Sequence, residues 1–408
     1  MKVLLTGAFG NVGQSAIDEL VRQGHIVRCF DVPTRKNRRA ASRFLARYGD
    51  RLQVVWGDLR RPADLLAAVR DQEVVVHLAF IIPKMSATGV ESEQAPDWAR
   101  EINVGGTRNL LAAIKAQAAP PKILFTSSYH VYGRTQDRPP PRTILDPVQP
   151  IEHYALHKVE CERMVQASGG AWAIFRLSAA LPFAIQLDPG MFDVPLDNRI
   201  EYVHSRDVAL AIANAIVNDN VWGRLLLIGG GPRCQYRFRE IVERILGAVG
   251  VGMLPDEAFS AVPFPTDWVD TTVSQRLLDY QRRDLDDYVA EMKTVLGFRR
   301  TLVKLFRPWV RRWLLSKSPY YARRAAAPVE ELARPESAAA PPPVELTPEL
   351  RQLLVETARS LRGRARRLFI ARAVQALGQG GSQKAEREFG WSRRLILSGL
   401  QELDKHGA

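Results

Sequence analysis

VVVHLAF at 74–80 is an almost continuous apolar run, and KILFTSS at 122–128 carries the unbroken apolar core Ile123, Leu124, Phe125; neither shows the alternation of a half-exposed strand. Strands of that kind are covered on both faces, as happens in parallel sheets flanked by helices. Further strand-like runs recur as KVLLTG (2–7), HIVRCFD (25–31), RLQVVWGD (51–58), AWAIFRLS (171–178) and RLLLIGGG (224–231). Between them lie segments of helical period. NVGQSAIDELVRQG puts Val12, Ala16 and Leu20 on one face and closes at Gly24; DLLAAVR, NVGGTRNLLAAIKAQ, YALHKVECERMVQAS and FREIVERILGAVG follow. Repeated β–α units of this kind predict the α/β class with a doubly wound parallel sheet.

At 408 residues the chain exceeds one ordinary domain, and its 46% hydrophobic content supports a sizeable core. Cys29, Cys161 and Cys234 form no CxxC pair, which argues against a zinc site or a disulfide framework. With an N-terminal apolar run too short for a signal peptide and no stretch of roughly 18 apolar residues, the expected compartment is the cytoplasm. The net charge of +13 is uneven: residues 299–408 hold 22 Lys+Arg against 10 Asp+Glu, a net of +12, which leaves the body near neutral. Four parts are expected: a domain at 1–298 with a small C-terminal substrate subdomain, a basic aromatic segment at 299–324, a Pro/Ala-rich linker at 325–346 and an all-α basic tail at 347–408.

TGAFGNVG sets Gly7, Gly10 and Gly13 between the first strand and the first helix, with Phe9, Asn11 and Val12 among them. Such glycines let the chain turn, let the backbone approach a pyrophosphate, and let helix and strand pack closely, while the helix N-terminus points N–H groups at the phosphates. The second strand ends in Asp31, 18 residues past Gly13. A carboxylate there accepts from a ribose diol and repels a 2′-phosphate, so NAD is the expected cofactor. Arg28, Arg35, Lys36, Arg38 and Arg39 crowd Asp31; one of them swung onto a 2′-phosphate would admit NADP, whereas a solvated basic loop would not.

The spacing TGxxGxxG resembles that of the short-chain dehydrogenase/reductase superfamily, and further motifs resemble its extended branch, the NAD-dependent epimerase/dehydratase family. These are GDL (Gly57, Asp58, Leu59), HLAF (His77 to Phe80, with Ala79), NVGGT (Asn103 to Thr107), SSYHVYG (Ser127 to Gly133) and YVHSRDVA (Tyr202 to Ala209). The resemblance covers about residues 1–298. It implies a Rossmann-type sheet, an adenine-capping role for Asp58 and Leu59, cofactor contact at Ala79, and dimerisation through the Tyr154 helix. It also implies that Asn103 holds backbone near the active-site helix; a plain helix N-cap is the alternative.

Tyr154 and Lys158 in YALHK are i and i+4, so a helix puts them on one face. A phenol is a poor base at neutral pH. A neighbouring ammonium favours phenolate and can also bond the nicotinamide ribose, so Lys158 counts toward both catalysis and cofactor binding. Ser128 ends a central strand, where ligands of open α/β sheets bind, and its place matches the catalytic Ser/Thr of the resembled family; Ser127 is the weaker candidate. His153 and His157 flank the motif; either serves as a proton relay or, the preferred reading, is an exposed helix histidine. The expected chemistry is Tyr/Lys/Ser-assisted hydride transfer on a small-molecule carbonyl or alcohol, with epimerisation or dehydration through a keto intermediate open on the same machinery.

The family pattern RxxNVYGP is degraded here to RLSAALP, keeping Arg176 and Pro182, which weakens any inference to a nucleotide-sugar substrate. RCQYRFR (233–239) faces an anionic substrate or is an ordinary helix start. FPTDWVDTTVSQRLLDYQ reads as subdomain packing with a pocket role open.

Residues 299–324 hold nine Lys/Arg and no Asp or Glu, with Phe306, Trp309, Trp313, Leu314 and Leu315 interleaved. Residues 301–316 thus suit a membrane surface, or an apolar stripe packed on the body with Arg stems laid over it. Pro308 interrupts the stripe and favours packing. In the tail, SQKAEREFGWSRRLILSGLQEL reads as helix, turn at Gly390, helix, with Ser392 as cap, Arg393 and Arg394 at the second helix start, and RGRARR (362–367) upstream. It is similar to helix-turn-helix regions of some transposases, although Glu386 stands where a small residue usually packs. DNA binding by 347–408 and a basic hairpin without DNA are both open. The rival to an enzyme is therefore a nucleotide-sensing, DNA-binding regulator with a Rossmann body.

Overall fold

The computed structural model describes residues 1–83, 89–181, 189–321, 348–377 and 381–404. The expected linker 325–346 and Pro182 lie outside the described residues. The chain divides into two compact units, 1–327 and 328–408.

The first unit is built on a seven-stranded, wholly parallel sheet in the order β3-β2-β1-β4-β5-β6-β8. Its strands are β1 (Lys2–Thr6), β2 (Ile26–Asp31), β3 (Leu52–Trp56), β4 (Val74–His77), β5 (Lys122–Ser128), β6 (Trp172–Leu177) and β8 (Arg224–Ile228). Both faces are covered. Helices α1 (Asn11–Arg22), α2 (Arg35–Tyr48) and α7 (Ser205–Ile216) bury one around Leu5, Ile17, Val203 and Ile212. Helices α3 (Pro62–Val69), α5 (Gly106–Lys115) and α6 (His153–Gln166) bury the other around Leu4, Val75, Leu110 and Phe125. Val74, Val75 and Val76 are all fully buried, which is why their sequence does not alternate.

The basic run after Asp31 is not a loop but the start of α2, capped by Thr34, whose hydroxyl accepts from Asn37 N. The charged residues mask a buried face of Ala40, Ala41 and Phe44. Before α5, the short α4 (Pro96–Arg100) runs into a π-helical turn at Glu101–Gly105.

The smaller part of this unit carries the antiparallel pair β7 (Arg199–Glu201) and β9 (Gln235–Arg237) with α8 (Phe238–Val249), α9 (Thr272–Leu278) and α10 (Leu285–Leu296). The basic aromatic segment forms α11 (Arg299–Leu305) and α12 (Arg307–Leu315), broken at Phe306 with Pro308 in the first turn of α12. Leu314 is buried there, and Val303, Val310, Tyr320 and Tyr321 pack on the core that α8 and α10 share. All three cysteines are buried and unpaired. Among the described residues no helix is long and apolar enough to cross a membrane.

The second unit is all-α: α13 (Pro348–Ser360), α14 (Gly363–Ala376), α15 (Gly381–Phe389) and α16 (Arg393–Asp404), around Ile370, Val374, Phe389, Trp391 and Ile396. Gly390, at φ +66°, makes the turn between the last two helices.

Candidate active site

Four residues carry the chain from β1 into α1. Gly7 sits at φ +66°, and a Cβ there would lie 2.7 Å from Ala79 N at the end of β4. A Cβ on Gly13 would lie 2.4 Å from the Gly7 carbonyl oxygen and 2.6 Å from that of Ala8. Gly10 is the N-cap of α1, and no side chain caps this helix. The backbone is therefore bare where α1 begins, as a pyrophosphate requires. The loop is latched to Asp31. The N–H of Phe9 donates to one carboxylate oxygen (2.9 Å), and Val32 N (2.8 Å) and Asn37 Nδ2 (3.0 Å) donate to the other. Burial pushes the Asp31 pKa up, and the Phe9 and Val32 N–H groups draw it back.

Around this cradle, Asn11 Nδ2 donates to Ala180 O at 3.1 Å, Val12 packs on the core beneath, and Ala79 N donates to Thr6 Oγ1 at 3.2 Å. The Arg60 guanidinium, 2.6 Å from the Asp58 carboxylate, holds that acid below its usual range, and Leu59 is buried against Gly106. The five basic residues part company. Arg28 donates to Ala68 O and Arg70 O, Arg38 lies over Trp56, and Arg35, Lys36 and Arg39 are exposed on α2.

Ser128 is the last residue of β5, and Tyr154 and Lys158 are one turn apart on α6. The Ser128 side chain lies close enough to the Tyr154 phenol to draw its pKa down, and its Oγ accepts from His130 N at 3.2 Å. Lys158 Nζ donates to Thr126 O at 2.6 Å and lies 3.5 Å from the centre of the Phe80 ring. Burial pushes Tyr154 up to about 12 and Lys158 down to about 7. Burial is the larger cause for the phenol, Glu152 adds to it and Ser128 draws it back. Ser127 Oγ is buried with no partner among the described residues.

Asn103 sits inside the π turn rather than at a helix cap. It clamps the chain after β4 by accepting from Ile81 N (2.7 Å) and donating to Ile81 O (3.0 Å). Its Nδ2 also lies 3.4 Å from His157 Nδ1. His157 is buried, against expectation, because the π turn packs on that face of α6; His153 stays exposed.

Three neighbours escape sequence reasoning. His130 Nδ1 lies 2.8 Å from Glu152 Oε2, and its ring stands edge-on to that of Tyr154 at 6.0 Å. Glu93 accepts from the N–H groups of His153 (3.1 Å) and Tyr154 (2.9 Å) and so fixes the start of α6. Only His130 left a signal, two residues beyond Ser128 in SSYHVYG. Beside these groups opens a cavity of about 800 Å³, walled by α8, α10 and the 262–265 loop.

The parallel sheet, the glycine turn and the Tyr-x-x-x-Lys helix define a Rossmann protein of the short-chain dehydrogenase/reductase kind. Residues 3–182 match the NAD dependent epimerase/dehydratase family. A UDP-glucose 4-epimerase of Klebsiella pneumoniae is 33% identical over 135 residues, 33% of this chain and 93% of that protein. The chain belongs to the NAD dependent epimerase/dehydratase family. A 3-beta-hydroxysteroid dehydrogenase of Mycolicibacterium neoaurum is 33% identical over 136 residues, 33% of this chain. The match spans only 34% of the length of that relative. Among solved structures, the UDP-glucose 4-epimerase of Bifidobacterium longum, in complex with NAD+ and UDP, has a TM-score of 0.60 at 20% identity, covering 72% of this chain and 98% of that one.

Proposed function

We propose that the chain is an NAD-dependent oxidoreductase that interconverts a secondary alcohol and its ketone through Tyr154, Ser128 and Lys158. The observation that carries the reading is the placement of Ser128, at the carboxyl end of β5, beside Tyr154 with Lys158 one turn further along α6. A bound oxidised nicotinamide supplies the hydride acceptor and a positive charge beside the phenol. As the phenolate that this positive charge favours, Tyr154 takes the hydroxyl proton, Ser128 holds the substrate oxygen, and Lys158 anchors the α6 face to the backbone at Thr126. Gly7, Gly10, Gly13, Phe9, Asn11 and Val12 shape the pyrophosphate cradle, Asp31 receives the ribose hydroxyls, and Asp58, Leu59, Ala79 and Asn103 border the rest of the cofactor. Asp31 favours NAD over NADP, since the five cations around it lie on α2 or point elsewhere.

The same three groups serve an epimerase or dehydratase, where the hydride returns to the substrate. Net formation of reduced cofactor, read at 340 nm, separates the two. The test is thermal stability with NAD, NADH, NADP and NADPH in turn, followed by turnover of Tyr154→Phe and Ser128→Ala. The NAD pair alone raises the melting temperature. Tyr154→Phe then lowers turnover about 10²–10⁴-fold with NAD binding kept, and Ser128→Ala about 10²–10³-fold. Protein stripped of nucleotide that shifts with none of the four refutes the reading.

A further inference from the structure

We infer that the substrate, on the oxidoreductase reading above, is a neutral alcohol or ketone with a hydrocarbon body and not a nucleotide sugar. The cavity bordered by Glu93, Glu152 and His130, whose ring stands edge-on to that of Tyr154, measures about 800 Å³, and its α8 and α10 walls present Ile241, Ile245, Val249, Tyr288 and Met292. The 262–265 loop adds Val262 and Phe264. The charged groups lining it are Glu91, Glu93, Glu152 and Asp193 against one guanidinium, Arg134, among the described residues. A nucleotide diphosphate brings at least two negative charges. In this cavity they would meet four carboxylates and a largely apolar wall with a single cation among the described residues, so their desolvation would go poorly compensated. The arginines that could have answered them are engaged elsewhere: Arg199 with Asp267, Arg237 with Asp197 O and Arg239 with Asp256. A hydrocarbon body loses nothing by leaving water for such a wall.

The test uses the full chain and a series of 2-alkanols from eight to fourteen carbons, a 3β-hydroxysteroid, and UDP-glucose. Binding is followed by thermal shift and tryptophan fluorescence, with and without NAD. The expected result is an affinity rising about fourfold per added methylene until the cavity is full. UDP-glucose should give no shift at millimolar concentration. Ile245→Asp should weaken 2-dodecanol at least about tenfold, with the NAD-induced shift intact as the control for folding. A flat chain-length series, or micromolar binding of UDP-glucose, overturns the inference. If NAD gives no shift while the chain-length slope persists, the oxidoreductase reading falls and the substrate class stands.

A separate observation carries a second inference: α11 and α12 form a face for an anionic membrane surface. Phe298, Leu302, Leu305, Phe306, Trp309 and Trp313 recur at helical spacing, and all are exposed, Phe298 by 75%, Leu305 by 72% and Trp309 by 77%. Leu302 and Leu305 lie three apart on α11 and Trp309 and Trp313 four apart on α12, so each helix presents an exposed apolar face of its own. The described residues 299–321 carry seven Lys/Arg and no acid; Arg307 and Arg311 donate to Val251 O and Met253 O, and the other five remain for headgroups. A second copy of this face would bring like charges together, and DNA has no use for six large apolar side chains, whereas anionic headgroups over acyl chains match both features.

Flotation of the full chain with phosphatidylcholine vesicles, with and without phosphatidylserine, tests this. Binding is expected to need phosphatidylserine, to fall in 0.5 M salt, and to be lost in Leu305→Glu/Trp309→Glu with the NAD-induced melting shift kept. Binding that survives the double substitution resides elsewhere and overturns the proposal. So does a dimer in solution that the double substitution dissociates.

Discussion

Lys158→Met isolates what the buried ammonium costs the fold. Lys158 is 3% exposed, and burial brings its pKa from 10.5 to about 7. The folded value lies below the unfolded one, so between pH 7 and 10.5 the unfolded chain holds a proton that the folded chain has released. Wild-type stability therefore rises with pH across this window. At ~1.4 kcal/mol per pH unit the ceiling is about 5 kcal/mol, of which relaxation of the site leaves a realistic 2–3, roughly. Methionine fills similar volume without a charge, so the variant lacks this slope. It leaves Thr126 O without its 2.6 Å donor, a cost of about 1–3 kcal/mol that does not change with pH. The sign at one pH is thus not diagnostic, but the slope is. Urea denaturation of nucleotide-free wild type and variant at pH 6.5, 8 and 9.5 should show the variant's relative stability falling by at least about 2 kcal/mol from the lowest pH to the highest. A difference flat across those three pH values would refute the assignment of Lys158 as a desolvated cation.

Gly13→Ala forces a methyl to 2.4 Å from the Gly7 carbonyl oxygen, which is backbone and cannot step aside. A destabilisation of about 1–3 kcal/mol is expected, with the NAD-induced rise in melting temperature abolished. Asp31→Ser removes the acceptor for the Phe9 and Val32 N–H groups and the repulsion of a 2′-phosphate. Calorimetric titration should show NAD binding weaken and NADP gain on it by about 10-fold or more. Glu162→Gln strands the Arg176 guanidinium, which the carboxylate meets at 2.9 and 2.7 Å in the interior. Chemical denaturation should show a loss of about 3–5 kcal/mol.

The half of the site that receives the cofactor was legible because its parts are local. Gly7, Gly10, Gly13 and Asp31 fall within the first β-α-β unit, and Tyr154 and Lys158 are one helical turn apart. In both cases the backbone periodicity alone fixes which side chains share a place. The misreadings also have local causes. A run of arginines looks like solvated chain until Ala40, Ala41 and Phe44 are seen to bury a face of α2. His157 looks exposed beside His153 and Glu160, and only the packing of the π turn at 101–105 on α6 shows that it is not.

The substrate half was illegible for the opposite reason. Glu93 is 61 residues from Tyr154, Glu152 is 22 from His130, and the cavity wall comes from α8, α10 and the 262–265 loop. No periodicity joins positions so far apart. Patterning says only that Ile241, Ile245 and Val249 form the apolar face of a helix, and an apolar face is ordinarily core. What turns part of that face into a pocket is the space left between α8, α10 and the loop carrying Phe264, a property of their separation. The cofactor can thus be argued from one stretch of chain at a time. The substrate requires counting charges across a cavity, and among the described residues four carboxylates against one guanidinium are the ground for proposing that no diphosphate binds there.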